Sequence, residues 1–127
     1  MWEIYDYLTP SRKNDIYRWA KEFNNERRGK FEEKLDTLRR QGVDVPKDLL
    51  PYLGNDIYKL KVQGKPQLRP FLCRGIVNKD LKEFTILIGV TEENGKFRPK
   101  DATNQAGNRL AELLADPSQR CEHEETA

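Results

Sequence analysis

The chain has 127 residues, enough for one domain with a core of its own. Apolar residues make up 36% and charged residues 35%, and the two cysteines, Cys73 and Cys121, form no CxxC, which argues against a zinc ribbon or a disulfide framework. The net charge of +2 hides an asymmetry: residues 9–40 carry ten lysines and arginines against six acids, residues 56–100 ten against five, and residues 112–127 one against five. A basic body with an acidic tail is expected to meet an anionic partner.

Trp2 to Tyr7 is aromatic-rich with period two and predicts a short strand, and MWEIYDY is acidic and aromatic, unlike a signal peptide. Thr9-Pro10 predicts a helix start, a hydroxyl at the N-cap and proline after it. Ile16, Trp19, Ala20 and Phe23 then mark one helical face. Phe31, Leu35 and Leu38 repeat that stripe after NNERRG, so two helices forming a hairpin are preferred over one kinked helix, with Gly42 closing the second. VDVPKDLLPYLG reads as a proline-punctuated connector whose Leu49, Leu50, Tyr52 and Leu53 pack down.

Strands are expected at about 57–62, 68–77 and 84–90, joined by QGKPQ and NKDLK. EENG reads as a turn, Lys96 to Pro99 as a short extended piece. Asp101 is placed to cap a last helix with Ala102, Ala106, Leu110, Leu113 and Leu114 inside, ended by Pro117. The tail SQRCEHEETA has no apolar period, so residues 1–116 are expected to be the domain and 117–127 a disordered acidic tail, His123 lying in solvent. The order predicts an α+β domain with its helices on one face of a mainly antiparallel sheet. The longest nearly apolar run, FTILIGV, is far short of a membrane span, and a reducing cytoplasmic compartment is expected.

On the strand 57–62, Tyr58, Leu60 and Val62 point one way and Lys59 and Lys61 the other, roughly 7 Å apart on an open face. Single lysines there are most simply solubility groups. The constellation says more: Arg69 and Arg74 fall on the next strand, Lys65 in the turn between, and Lys96, Arg98 and Lys100 beyond. Such a cluster repels itself unless an anion sits in it, and phosphate matches guanidinium and ammonium groups. Phe71, Tyr58 and Phe97 lie near enough in sequence to stack bases, although core packing is the simpler role for Tyr58. No histidine is expected in the fold for a serine or cysteine triad, no phosphate loop occurs, no cluster has metal spacing, and Glu92-Glu93 reads as a charged turn.

Together, GNDIYKLKV, LRPFLCRGIV, FTILIGV, KFRP and QAGNRL, in this order after two helices, resemble the RelE/ParE superfamily of type II toxins, most nearly its phage-associated HigB-like branch. The likeness covers residues 2–115 and lies in order and spacing, including Pro99 seven before Ala106 and Ala106 three before Arg109. It implies a sheet of about four strands under two N-terminal helices, with a C-terminal helix. It also implies metal-independent, cofactor-free cleavage of messenger RNA on the ribosome and a cognate antitoxin of helix-turn-helix or wrapping type. By position, Lys59 or Lys61 would act as base and Arg69 would stabilise the phosphate; Lys65, Arg74, Lys96, Arg98 and Lys100, the rest of the cation cluster, are expected to bind RNA. The family's lysine pair falls here at Glu93-Asn94 and its catalytic tyrosine at about Thr103, and Pro70 after Arg69 should interrupt a ladder. The alternatives are a non-catalytic nucleic-acid-binding module on the same fold and a ParE-like gyrase inhibitor, the latter disfavoured by Lys59 and Lys61.

Overall fold

A computed structural model describes residues 1–76, 78 and 80–127. The chain runs β1 (Glu3–Tyr7), α1 (Asp15–Lys21), α2 (Asn25–Gln41), β2 (Tyr52–Gly54), β3 (Ile57–Lys59), β4 (Gln67–Leu68), β5 (Phe71–Arg74), β6 (Glu83–Ile88), β7 (Thr91–Glu93), β8 (Lys96–Arg98), α3 (Ala102–Ala115) and β9 (Arg120–Glu122). This is an α+β fold. In place of about four strands there is a six-stranded sheet, β2-β3-β5-β6-β1-β9, and a three-stranded one, β4-β7-β8. Only β1 with β6 pairs parallel.

Two separate helices form from the N-terminal stripes, but the first begins later than Thr9-Pro10 suggests. Thr9 instead closes a turn, its Oγ1 accepting from Lys13 N at 3.0 Å. Asn14 caps α1 by accepting from Tyr17 N, and Asn24 caps α2 by accepting from Arg27 N, each at 2.9 Å. Gly42 ends α2 at φ 57°, where a Cβ would lie 2.0 Å from the Trp2 indole, so both conformation and space require glycine. Pro70 splits the expected strand 68–77 into β4 and β5, as an absent N–H should. Its last expected residue, Val77, lies outside the described residues.

The helices occupy both faces of the sheet, not one. Ile16, Phe31, Leu35 and Leu38 of α1 and α2 share a core with Leu60, Val62, Leu72, Phe84 and Ile86. Ala102, Ala106, Leu110 and Leu113 of α3 share a second core with Ile57, Phe71, Cys73, Leu87 and Ile88. Leu114, expected inside, is exposed. Alternation places Tyr58 and Lys59 on opposite faces as expected, but the expected strand 57–62 stops at Lys59, so Lys61 does not follow Lys59 and lies instead beside α2. The face thought to be open is where α3 lies. The tail is also ordered: β9 pairs antiparallel with β1, and Thr126 is buried. Its partners come from distant elements, so no local period betrayed it.

Candidate nucleic-acid interface

Ile57 belongs to the core under α3, whereas Tyr58, Leu60 and Val62 pack toward α1 and α2. Lys59 therefore rises on the α3 side, where the β7–β8 hairpin meets it. Its Nζ lies 3.1 Å from Glu92 Oε1 and 5.2 Å from the Phe97 ring centre, and its side chain is only 15% exposed. Glu92 and Phe97 are register partners across the hairpin, and Phe97 packs edge-on against Phe71 at 5.1 Å. Fully buried Phe71 is a core residue and offers no surface to a base.

Arg69 shares Glu92 with Lys59: its Nε stands 3.4 Å from the same Oε1. The rest of its guanidinium is spent inside the protein. Nη1 donates to the Val62 and Leu68 carbonyls at 3.2 and 3.0 Å, and Nη2 to Gln63 Oε1 and Gln67 Oε1, both at 3.0 Å. The residue is 4% exposed. Burial lowers its pKa, the adjacent Arg27 adds to that, and Glu92 opposes both. Arg27, from α2, donates to the carbonyls of Val62, Gln63 and Pro66. Two buried guanidiniums thus staple the QGKPQ turn, and with one carboxylate between Lys59 and Arg69, an incoming phosphate would have to displace Glu92 to reach either.

Lys61 does not join this group. It lines a separate groove with Lys34, Thr37 and Gln41 of α2 and Asp48 and Leu49 of the connector. Arg74 also lies on the α1–α2 side, toward Leu72 but away from Lys61, with its guanidinium 5.5 Å from the Trp2 ring centre. Tyr58, in the same region, stacks obliquely on Tyr52 at 5.0 Å. Of the proposed catalytic three, then, the fold brings Lys59 and Arg69 together and leaves Lys61 apart.

The exposed cations are better disposed. Lys96, Arg98 and Lys100 line an open hollow of about 670 Å³ with Phe97, Glu93 and Asn94. Lys65 lines a second, of about 520 Å³, which shares Glu93 and Asn94 with the first. None of these four cations has an ion pair among the described residues. Asn94 and Gly95, at φ 53° and 75°, make the tight turn that sets β8 beside β7. The surface can hold phosphates by charge without moving an internal partner.

His123 is not in solvent. Its side chain is fully enclosed, with Nδ1 2.9 Å from Asp6 Oδ1 and Nε2 2.9 Å from Glu32 Oε2. Burial disfavours the imidazolium, but the hydrogen bonds and charges of Asp6 and Glu32 prevail and raise its pKa to about 9. A histidine does sit in the fold, yet both nitrogens are engaged and neither can serve a nucleophile. Cys73 and Cys121 are free, and burial pushes the Cys73 thiol up to about 12 and the Cys121 thiol upward as well. Arg109, on the motif helix, reaches Asp15 with both terminal nitrogens, at 2.9 and 2.6 Å, and the Leu87 carbonyl at 2.9 Å, tying α3 to α1. The roles of Arg27, Glu92, Arg109 and His123 all depend on partners far off in sequence, and no spacing signals them.

No cluster of three or more His, Cys, Asp or Glu side chains suited to a metal occurs among the described residues, and none of their helices is long and apolar enough to cross a membrane. Comparison of the chain with family models, curated proteins and solved structures finds no match.

Proposed function

We propose that the chain is the toxin of a type II toxin–antitoxin pair of the RelE/HigB kind, acting in the cytoplasm on messenger RNA at the ribosome. The observation that carries this reading is the unpaired set Lys96, Arg98 and Lys100 around Phe97, with Lys65 beside it. A cationic surface bearing an aromatic ring suits single-stranded RNA. The order of motifs supports the family: two helices, then β3, β5 and β6, the KFRP segment and the α3 helix bearing Arg109. An antitoxin with an acidic segment would neutralise the same cations and relieve their repulsion. Cleavage needs Glu92 to release Lys59 and Arg69, which substrate phosphate would drive by competing for both cations.

The saturation of Arg69 favours a second reading, in which the same surface binds RNA without cutting it. Induced expression in cells, with mapping of messenger-RNA ends, distinguishes the two. Growth arrest with new ends, lost in Lys59→Ala and in a Lys96, Arg98, Lys100 triple alanine variant, is expected for the toxin. If purified wild-type protein cuts neither free nor ribosome-bound messenger RNA, the enzymatic reading fails and the binding module stands in its place.

A further inference from the structure

Seven of the arginines are buried or half-buried, and six of these donate to a carbonyl, carboxylate or side-chain amide. Arg74 is the exception. Its guanidinium rests over Trp2 with no acceptor among the described residues, and its Nε is closed off from solvent without a partner. The platform beneath it is fixed, because Trp2 stacks on Phe84 at 4.9 Å. A partly desolvated guanidinium without an acceptor is costly, and an orphan of this kind calls for a ligand that completes it.

Beside it stands Tyr52, a large aromatic 57% exposed yet held in place. Its hydroxyl accepts from the Asp56 backbone N–H at 3.0 Å, and its ring leans on Tyr58. Tyr52, Tyr58 and Arg74 form the common wall of two adjoining hollows of about 230 and 440 Å³. Lys47 lines the larger and Asp56 the smaller, so an anion is favoured on the Lys47 side.

We propose that this groove binds a nucleotide unit of a single strand, its base on the exposed face of Tyr52 and its phosphate on Arg74 and Lys47. The choice of ligand rests on the nucleic-acid reading above. The groove lies on the α1–α2 side of the sheet, whereas Phe97 packs with the core on the α3 side, so it is a second point of contact. A ring held by its hydroxyl and a guanidinium seated over Trp2 together match a base and its phosphate without needing base-edge hydrogen bonds.

The test is titration of adenosine 5′-monophosphate into the full chain, followed by the ring resonances of Tyr52 and Tyr58. Saturable shifts are expected. Tyr52→Ala, Arg74→Ala and omission of the phosphate (adenosine alone) should each weaken binding roughly tenfold or more. Tyr52 is exposed, so its variant keeps the fold should Arg74→Ala lose it. Unmoved ring resonances, or equal affinity for Tyr52→Ala, overturn the proposal. Binding of a short RNA with the groove unmoved sinks this inference alone. Occupation of the groove by the mononucleotide with no RNA bound sinks the wider function instead.

Discussion

His123 and Asp6 meet at 2.9 Å across 117 residues of chain, and the other nitrogen of the same ring meets Glu32. Thr126 completes the contact, donating to Glu32 Oε2 from its N–H at 3.1 Å and its hydroxyl at 2.6 Å. Asn14 donates to the remaining Asp6 oxygen at 2.9 Å. The acidic tail is therefore held by a cation enclosed between two carboxylates, one from β1 and one from α2.

Removing that cation should cost stability. His123→Ala leaves Asp6 and Glu32 enclosed and uncompensated, an arrangement that typically costs about 3–5 kcal/mol. Deletion of residues 117–127 should lower the thermal midpoint as well, since β9 and Gln119 are lost with the ring. A midpoint unchanged by the deletion would mean that the tail is not bound in solution.

The same cluster sets a pH dependence. The folded pKa of His123, about 9, lies above its ordinary 6.5. Its contribution is thus complete below about pH 6.5 and lost as pH rises through 9, up to about 3 kcal/mol in all. Glu32 works in the opposite direction. Burial opposes its charge, yet His123 and Thr126 outweigh this and hold its pKa below the ordinary value, so its contribution is lost as pH falls through the folded value. Denaturant melts from pH 6 to 10 should show the alkaline decline in the wild type and lose it in His123→Ala.

Arg69 and Lys61 should respond differently to truncation. Arg69→Ala removes four hydrogen bonds made by a buried guanidinium and leaves Glu92 one partner fewer, so a loss of about 3 kcal/mol or more is expected. Lys61→Ala should stay within about 0.5 kcal/mol. Chemical denaturation of the pair checks this, and equal stabilities would contradict the buried geometry. A loss of activity in Arg69→Ala alone therefore does not identify a catalytic group.

RNA affinity should fall steeply with salt. Each phosphate neutralised on a single strand adds about 0.7 to the logarithmic slope, so the Lys96, Arg98, Lys100 triple alanine variant should flatten it by about 2. Fluorescence anisotropy from 50 to 300 mM salt measures the slope. The same slope in the variant would place RNA elsewhere on the molecule.

The alternation of Tyr58 against Lys59 was legible because a strand has period two, but the strand ends at Lys59, so the same period misplaced Lys61. So was the break at Pro70, because a missing N–H acts locally. What covers each face was not legible. Placing α3 over Lys59 and Phe71 depends on where a helix returns after the β7–β8 hairpin, and no residue near Lys59 records that. Arg69 illustrates the cost: spacing put it on a strand beside other cations, but its depth follows from Arg27, Gln63, Gln67 and Glu92 closing around it. The tail hid for a related reason. Its charged residues read as solvated, and one of them, His123, is buried only because Asp6 and Glu32 await it.

The position of β1 bears on how the chain is made. Of the described strands it is made before the others, yet its two neighbours, β6 and β9, are supplied by residues 83–88 and 120–122. At about 5–20 residues per second, the N-terminal strand waits seconds with Ile4 and Tyr7 uncovered and both backbone edges vacant. The six-stranded sheet closes only after β9 is made, so a nascent chain halted before β6 has no complete core.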